Sequence, residues 1–103
     1  MGYITMNRFR VREGAQAQFE DAWLNREILL KQVPGFVKFH LLRGPRREDH
    51  TLYASHTTWE NEKAFRDWTE SDAFRQAHAK AGNVAIGFLG APELESFEVL
   101  QTV

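Results

Sequence analysis

Apolar and polar residues alternate from Tyr3 to Val11. Tyr3, Thr5, Asn7, Phe9 and Val11 point one way, and Ile4, Met6, Arg8 and Arg10 the other. A period of two predicts a strand. Glu13–Gly14 interrupts it. From Ala15 to Gln32 the spacing becomes helical, with Phe19, Ala22, Trp23, Leu29 and Leu30 forming a stripe into which Arg26 falls. Pro34–Gly35 ends that helix. Phe36 to Arg43 predicts a second strand, Gly44–Pro45 opens a turn running through Asp49, and Thr51 to Trp59 predicts a third strand closing an antiparallel hairpin. Asn61 is placed to cap a helix through Ala64, Phe65 and Trp68. Ser71 or Asp72 reads as a fresh cap, restarting a helix through Phe74, Ala77 and His78 that Gly82 stops. Residues 83–92 form a loop of small residues that also holds Val84, Ile86, Phe88 and Leu89. Glu93 to Val103 is the closing strand, with Leu94, Phe97, Val99 and Leu100 as expected buried positions.

The predicted order is β-α-β-β-α-β, the ferredoxin-like α+β arrangement, in one domain spanning 1–103. Two helices on one face of a four-stranded sheet leave the other face bare, and Ile4 and Met6 on that face require a cover. For so short a chain the economical cover is a second copy. The expected assembly is therefore a homodimer packed sheet to sheet, an α+β barrel, with the long closing strand reaching the partner.

Composition narrows the functional classes. With 43% hydrophobic and 26% charged residues the chain is globular rather than disordered. A formal net charge of −1 leaves no electrostatic footprint for nucleic acid or an anionic membrane. Arg46–Arg47 stands beside Glu48 and Asp49, so its field is expected to cancel locally. The alternating N-terminus, carrying Arg8 and Arg10, is neither a signal h-region nor a membrane span, and a cytoplasmic location is the expectation. There is no cysteine, which removes disulfides, thiolate metal sites and cysteine nucleophiles together.

The remaining candidates are four histidines, a few carboxylates, Asn7 and three tryptophans. His50, beside Asp49, reads as an exposed turn residue. If the hairpin turn centres near residue 47, position 40 pairs with 54, and His40 and His56 share a face one position out of register. Such a pair is half of a metal site or simply a polar patch, and no third ligand of matching position is evident. His78 lies near the end of a short helix, where it serves as a dipole partner, a surface residue or a ligand. Asn7 sits mid-strand on the face of Tyr3 and Phe9, where an amide is costly without a partner. Trp68, like Trp23 and Trp59, is by default a core anchor. Arg26 either snorkels to solvent or reaches an anionic group.

Read together, Asn7 in Met-Asn-Arg-Phe, Trp68 in Ala-Phe-Arg-Asp-Trp and His78 in Ser-Asp-Ala-Phe-Arg-Gln-Ala-His resemble one family. It is the haem-degrading monooxygenases of the antibiotic biosynthesis monooxygenase superfamily, related to staphylococcal iron-regulated, rhizobial and mycobacterial haem oxygenases. Pro34–Gly35–Phe36, the Thr57–Thr58–Trp59 strand end and Glu98–Val99–Leu100 extend the likeness over most of the chain. The resemblance implies O2-dependent opening of haem, both substrate and cofactor, with release of iron and electrons from an external donor, an unidentified reductant or reductase. It implies that His78 is the proximal ligand to the haem iron, that Asn7 hydrogen-bonds on the distal side, and that Trp68 presses on the macrocycle. On a continuous helix the ten residues from Trp68 to His78 span about 15 Å, which the break at Ser71–Asp72 would shorten. Residues 80–92 match nothing in the family, and leave the ring-opened product open. Three other readings stand beside this one: a cofactor-independent monooxygenase acting on a polycyclic phenol or quinol, a haem carrier or sensor without turnover, and a small dimeric domain with no catalysis.

Overall fold

The two registers of the first strand become the two faces of a four-stranded antiparallel sheet. The computed structural model describes residues 2–24, 29–75 and 87–103; His78 and Arg26, the expected stop at Gly82, and Val84 and Ile86 lie outside them. The described elements are β1 (Tyr3–Arg12), α1 (Gln16–Leu24), a short 3-10 turn (Leu29–Gln32), β2 (Phe36–Arg46), β3 (His50–Trp59), α2 (Glu62–Thr69) and β4 (Glu93–Glu98). The strands lie in the order β2-β3-β1-β4, the ferredoxin-like arrangement. Among the described residues no helix is long and apolar enough to cross a membrane.

Both helices cover the face that carries Tyr3, Thr5, Asn7, Phe9 and Val11. On β3 every second residue, Thr51, Tyr53, Ser55, Thr57 and Trp59, is buried beneath them. Two aromatic clusters hold the layers together. Under α1, Phe19 packs on Phe9 and Tyr53 with ring centroids 5.5 and 4.6 Å apart, joined by Trp23 and by Phe88, which bridges to Val11. Phe88 thus packs against the core. Under α2, Phe65 meets Tyr3 at 6.0 Å and Trp59 at 5.9 Å. Asn61 caps α2 as expected, its Oδ1 accepting the Ala64 N–H at 2.9 Å. Gly35 seats that helix against the start of β2. Its φ is +83°, and a Cβ there would stand 2.4 Å from the Ala64 Cβ, so both conformation and space demand glycine.

Four expectations are corrected. The Ala15–Gln32 helix is described as α-helix only to Leu24, and its last turn is 3-10. Gly44–Pro45 does not open the turn: β2 runs through both to Arg46, across a register shift between Arg43 and Arg46. Proline lacks a donor, but β2 is an edge strand and the irregularity absorbs it. Arg46 pairs with Glu13 rather than with its acidic neighbours, because that side of the strand faces the β1–α1 turn. The closing strand stops at Glu98. Within the described residues Leu94, Phe97 and Leu100 are 57%, 44% and 80% exposed, since β4 is the opposite edge of the sheet.

Tyr53 gives the core a titration of its own. Its hydroxyl donates to Glu20, and burial, reinforced by that hydrogen bond and the Glu20 charge and partly offset by Arg43, pushes its pKa up to about 12 from 10.0. A raised folded-state pKa means that the folded protein holds the proton more tightly than the unfolded chain. This contribution is whole below pH 10 and is lost as the pH rises through about 12. The expected loss is roughly 2–3 kcal/mol. Denaturant melts between pH 9 and 12 on wild type and Tyr53→Phe check it; an equal slope in both would remove Tyr53 as the cause.

Candidate functional site

Between the two aromatic clusters the helix-covered face changes character. Thr5 pairs across the strands with Thr57, and Asn7 pairs with Ser55. Thr5, Ser55 and Thr57 are buried and Asn7 half-buried, so four small polar side chains form a strip across the middle of an otherwise aromatic layer. Burying hydroxyls and an amide is unfavourable unless they are bonded or serve a ligand. Thr5 is bonded: its Oγ1 accepts the Trp59 indole N–H at 3.0 Å. Among the described residues none hydrogen-bonds the Asn7 amide. The partner that a mid-strand amide calls for is therefore not found among the described residues.

Trp68 borders the same region from α2. Its indole lies 6.5 Å from Trp59 and meets Phe74 edge-on at 5.6 Å. Trp68 reaches the strip through Trp59, whose indole donates to Thr5, and His78 lies outside the described residues. Ser71 restarts the chain as helix at 72–75, as expected: its Oγ accepts the Phe74 N–H at 3.2 Å. A cavity of about 300 Å3 opens against Trp68, lined also by Val33, Pro34, Asp67, Ser71 and Ala73. A second, of about 500 Å3, lies at the far end of α1 among Gln16, Glu20, Arg43, Arg46, Thr51 and Tyr53.

The charged groups with displaced proton affinity are elsewhere. Arg46 holds Glu13 below the usual carboxylate range, His50 does the same for Asp49, and Asp67 raises Lys63. The strip itself offers neutral hydrogen-bonding groups suited to orienting a ligand. Ser55 and Thr57 escape the sequence reading. Their signal is small polar residues at inward strand positions between aromatics, but their relation to Asn7 depends on the β1–β3 register.

The histidine pair needs correction. His40 lies directly opposite His56, not one position out of register, with ring centroids 6.1 Å apart on the uncovered face. The longer β2 and its irregularity move the turn and hence the register. Among the described residues the His56 Nδ1 is enclosed without a hydrogen-bond partner, and no group of three metal-ligating side chains exists. His50 is less exposed than expected, its side chain 18% accessible and bonded to Asp49 at 2.7 Å, because it opens β3 instead of lying in the turn.

Comparison with known proteins bears on this arrangement. The antibiotic biosynthesis monooxygenase family matches residues 2–80. A mycobilin-producing haem oxygenase from Mycobacterium tuberculosis is 32% identical over 105 aligned positions, covering 100% of this chain and 93% of the relative. Among solved structures, a haem degrader from the same organism with two haems bound in its active site superposes with a TM-score of 0.72 and 30% identity, over 98% of each chain. A variant of a cofactor-independent oxygenase from Streptomyces nogalater superposes with a TM-score of 0.74 and 26% identity, over 99% of this chain and 96% of that one.

Proposed function

Because the chain belongs to the antibiotic biosynthesis monooxygenase family, we propose that it opens haem oxidatively, releasing iron and a ring-opened tetrapyrrole. The observation that carries this reading is the half-buried Asn7 amide, without a hydrogen-bond partner among the described residues, in a polar strip between aromatic walls. A flat, largely apolar macrocycle suits such walls. Its distal side would take one placed hydrogen bond, which Asn7, unbonded among the described residues, would supply. His78 would hold the iron through an imidazole nitrogen, and Trp68, borne on a capped helix, would press on the ring. Haem as substrate supplies the iron centre at which O2 reacts, and an external donor supplies electrons. The residues of the chain bind, orient and distort.

The identity to a haem oxygenase over the whole chain supports this reading. A second reading draws on the Streptomyces oxygenase: a cofactor-independent oxidation of a polycyclic phenol or quinol in the same space. Titration of the purified protein with haemin separates them. Stoichiometric growth of a shifted Soret band is expected; its absence would favour the second reading. A carrier without turnover would also bind, and is distinguished by leaving the bound haem intact once a reductant and O2 are supplied.

Asn7→Ala tests the distal role. Haem uptake should stay near normal while degradation slows on the order of a hundredfold, the loss usual for one placed hydrogen-bond donor. Loss of folding instead would make Asn7 a structural amide.

The uncovered sheet face bears on the site indirectly, by fixing the sheet that floors it. Ile4, Met6 and Leu52 are only half-buried there, and Leu42 and Phe97 are 41% and 44% exposed. We propose that a second copy covers this face. Light scattering is expected to give about twice the 12.0 kDa chain mass; a monomer at micromolar concentration would contradict it.

A further inference from the structure

Ser71 joins two helical segments with a single hydroxyl. Its backbone N–H donates to the Trp68 carbonyl at 3.0 Å, and its Oγ–H donates to the same carbonyl at 2.7 Å. That Oγ also accepts the Phe74 N–H at 3.2 Å, and the Ser71 carbonyl accepts the Arg75 N–H at 3.3 Å. The hydroxyl therefore closes α2 behind Trp68 and opens the next segment ahead of Phe74. The Phe74 ring then returns to meet the Trp68 indole at 5.6 Å and an interplanar angle of 89°.

The indole needs that restraint. One flank borders the cavity of about 300 Å3 where Pro34 and Ala73 leave open volume. A side chain beside open volume has room to change rotamer when something presses on it. The edge of Phe74 opposes such rotation, and its backbone is held by the Ser71 Oγ. Helix caps matter in this way: without one, the first turn frays and its side chains lose their fixed direction.

We propose that Ser71 is a positioning residue whose hydroxyl, bridging the Trp68 carbonyl and the Phe74 N–H, fixes the angle at which the Trp68 indole presents itself to the substrate. This rests on the haem-cleaving reading above. It predicts that the hydroxyl matters, rather than the bulk of the residue.

The test compares Ser71→Ala and Ser71→Thr with wild type. Ser71→Gly is a further variant that removes the hydroxyl at little folding cost, since glycine is tolerated at a cap. In the haem-free protein, nuclear Overhauser contacts between the Trp68 and Phe74 rings report the joint. With haem, affinity, turnover and the hyperfine shifts of the cyanide complex report its consequence. Ser71→Ala and Ser71→Gly should weaken the ring contacts, keep haem affinity within about threefold, and slow turnover by roughly tenfold or more, as misplacement does. Ser71→Thr should match wild type throughout. Wild-type ring contacts and turnover in the Ala and Gly variants would overturn the proposal, as would failure of Thr to restore them. Wild-type protein that takes up no haem would instead sink the functional reading, and with it the consequence for turnover.

Discussion

His78→Ala is expected to yield a folded protein that has lost the five-coordinate imidazole–haem spectrum and all measurable turnover. The fold is expected to survive because, among the described residues, the core is built from Phe9, Val11, Phe19, Tyr53 and Trp59. Removing an iron ligand should cost more than removing a group that only orients one, which is worth about 10–100-fold in affinity. Added imidazole should restore part of the spectrum by entering the space left by the side chain. An unchanged Soret band and rate would discard the assignment. His40 and His56 would not readily replace it, since they lie on the sheet face opposite the helices.

Trp68→Ala, set beside Trp68→Phe, is expected to separate two roles of one side chain. As a core anchor Trp68 is secondary: it is half-buried, while Trp59 beneath it is 1% exposed and bonded to Thr5. Truncation to Ala should therefore cost about 3 kcal/mol, the low end for such changes, and a domain of ordinary stability should still fold. The chemical cost should be larger. If the indole is what presses on the macrocycle, the Ala variant should bind haem, leave it nearly planar and barely degrade it. Phe keeps much of the volume and should retain partial turnover. Denaturant melts measure the first effect, and hyperfine shifts of the cyanide complex with single-turnover rates measure the second. An Ala variant that folds, binds haem and degrades it at the wild-type rate would reduce Trp68 to packing.

Much of this arrangement is legible in the chain because local chemistry and fold agree. The period of two in β1 separates Asn7 and Phe9 from Met6 and Arg8, and the sheet keeps that division. Asn61 and Ser71 read as caps because short polar side chains before apolar helical spacing can accept backbone N–H groups, and both do. What escapes is whatever depends on neighbours distant in sequence. Gly44–Pro45 looks like a turn until β2 is known to be an edge strand. His40 and His56 come into direct opposition only through that same irregularity. Ser55 means little until β1 lies beside β3 and sets it opposite Asn7. Leu94 and Phe97 read as buried because their pattern is apolar, yet on an edge strand they are 57% and 44% exposed among the described residues.

The fate of bound haem tests the proposed cleavage most directly. The stoichiometric haem complex, reduced by ascorbate in air with catalase present, should lose its Soret band over successive scans. Ferrozine should capture close to one iron per haem, and a ring-opened tetrapyrrole should appear by mass spectrometry. Catalase matters because free peroxide destroys haem without an enzyme. A Soret band that persists under these conditions, with haem recovered intact, would contradict the proposed cleavage and leave a protein that only carries haem.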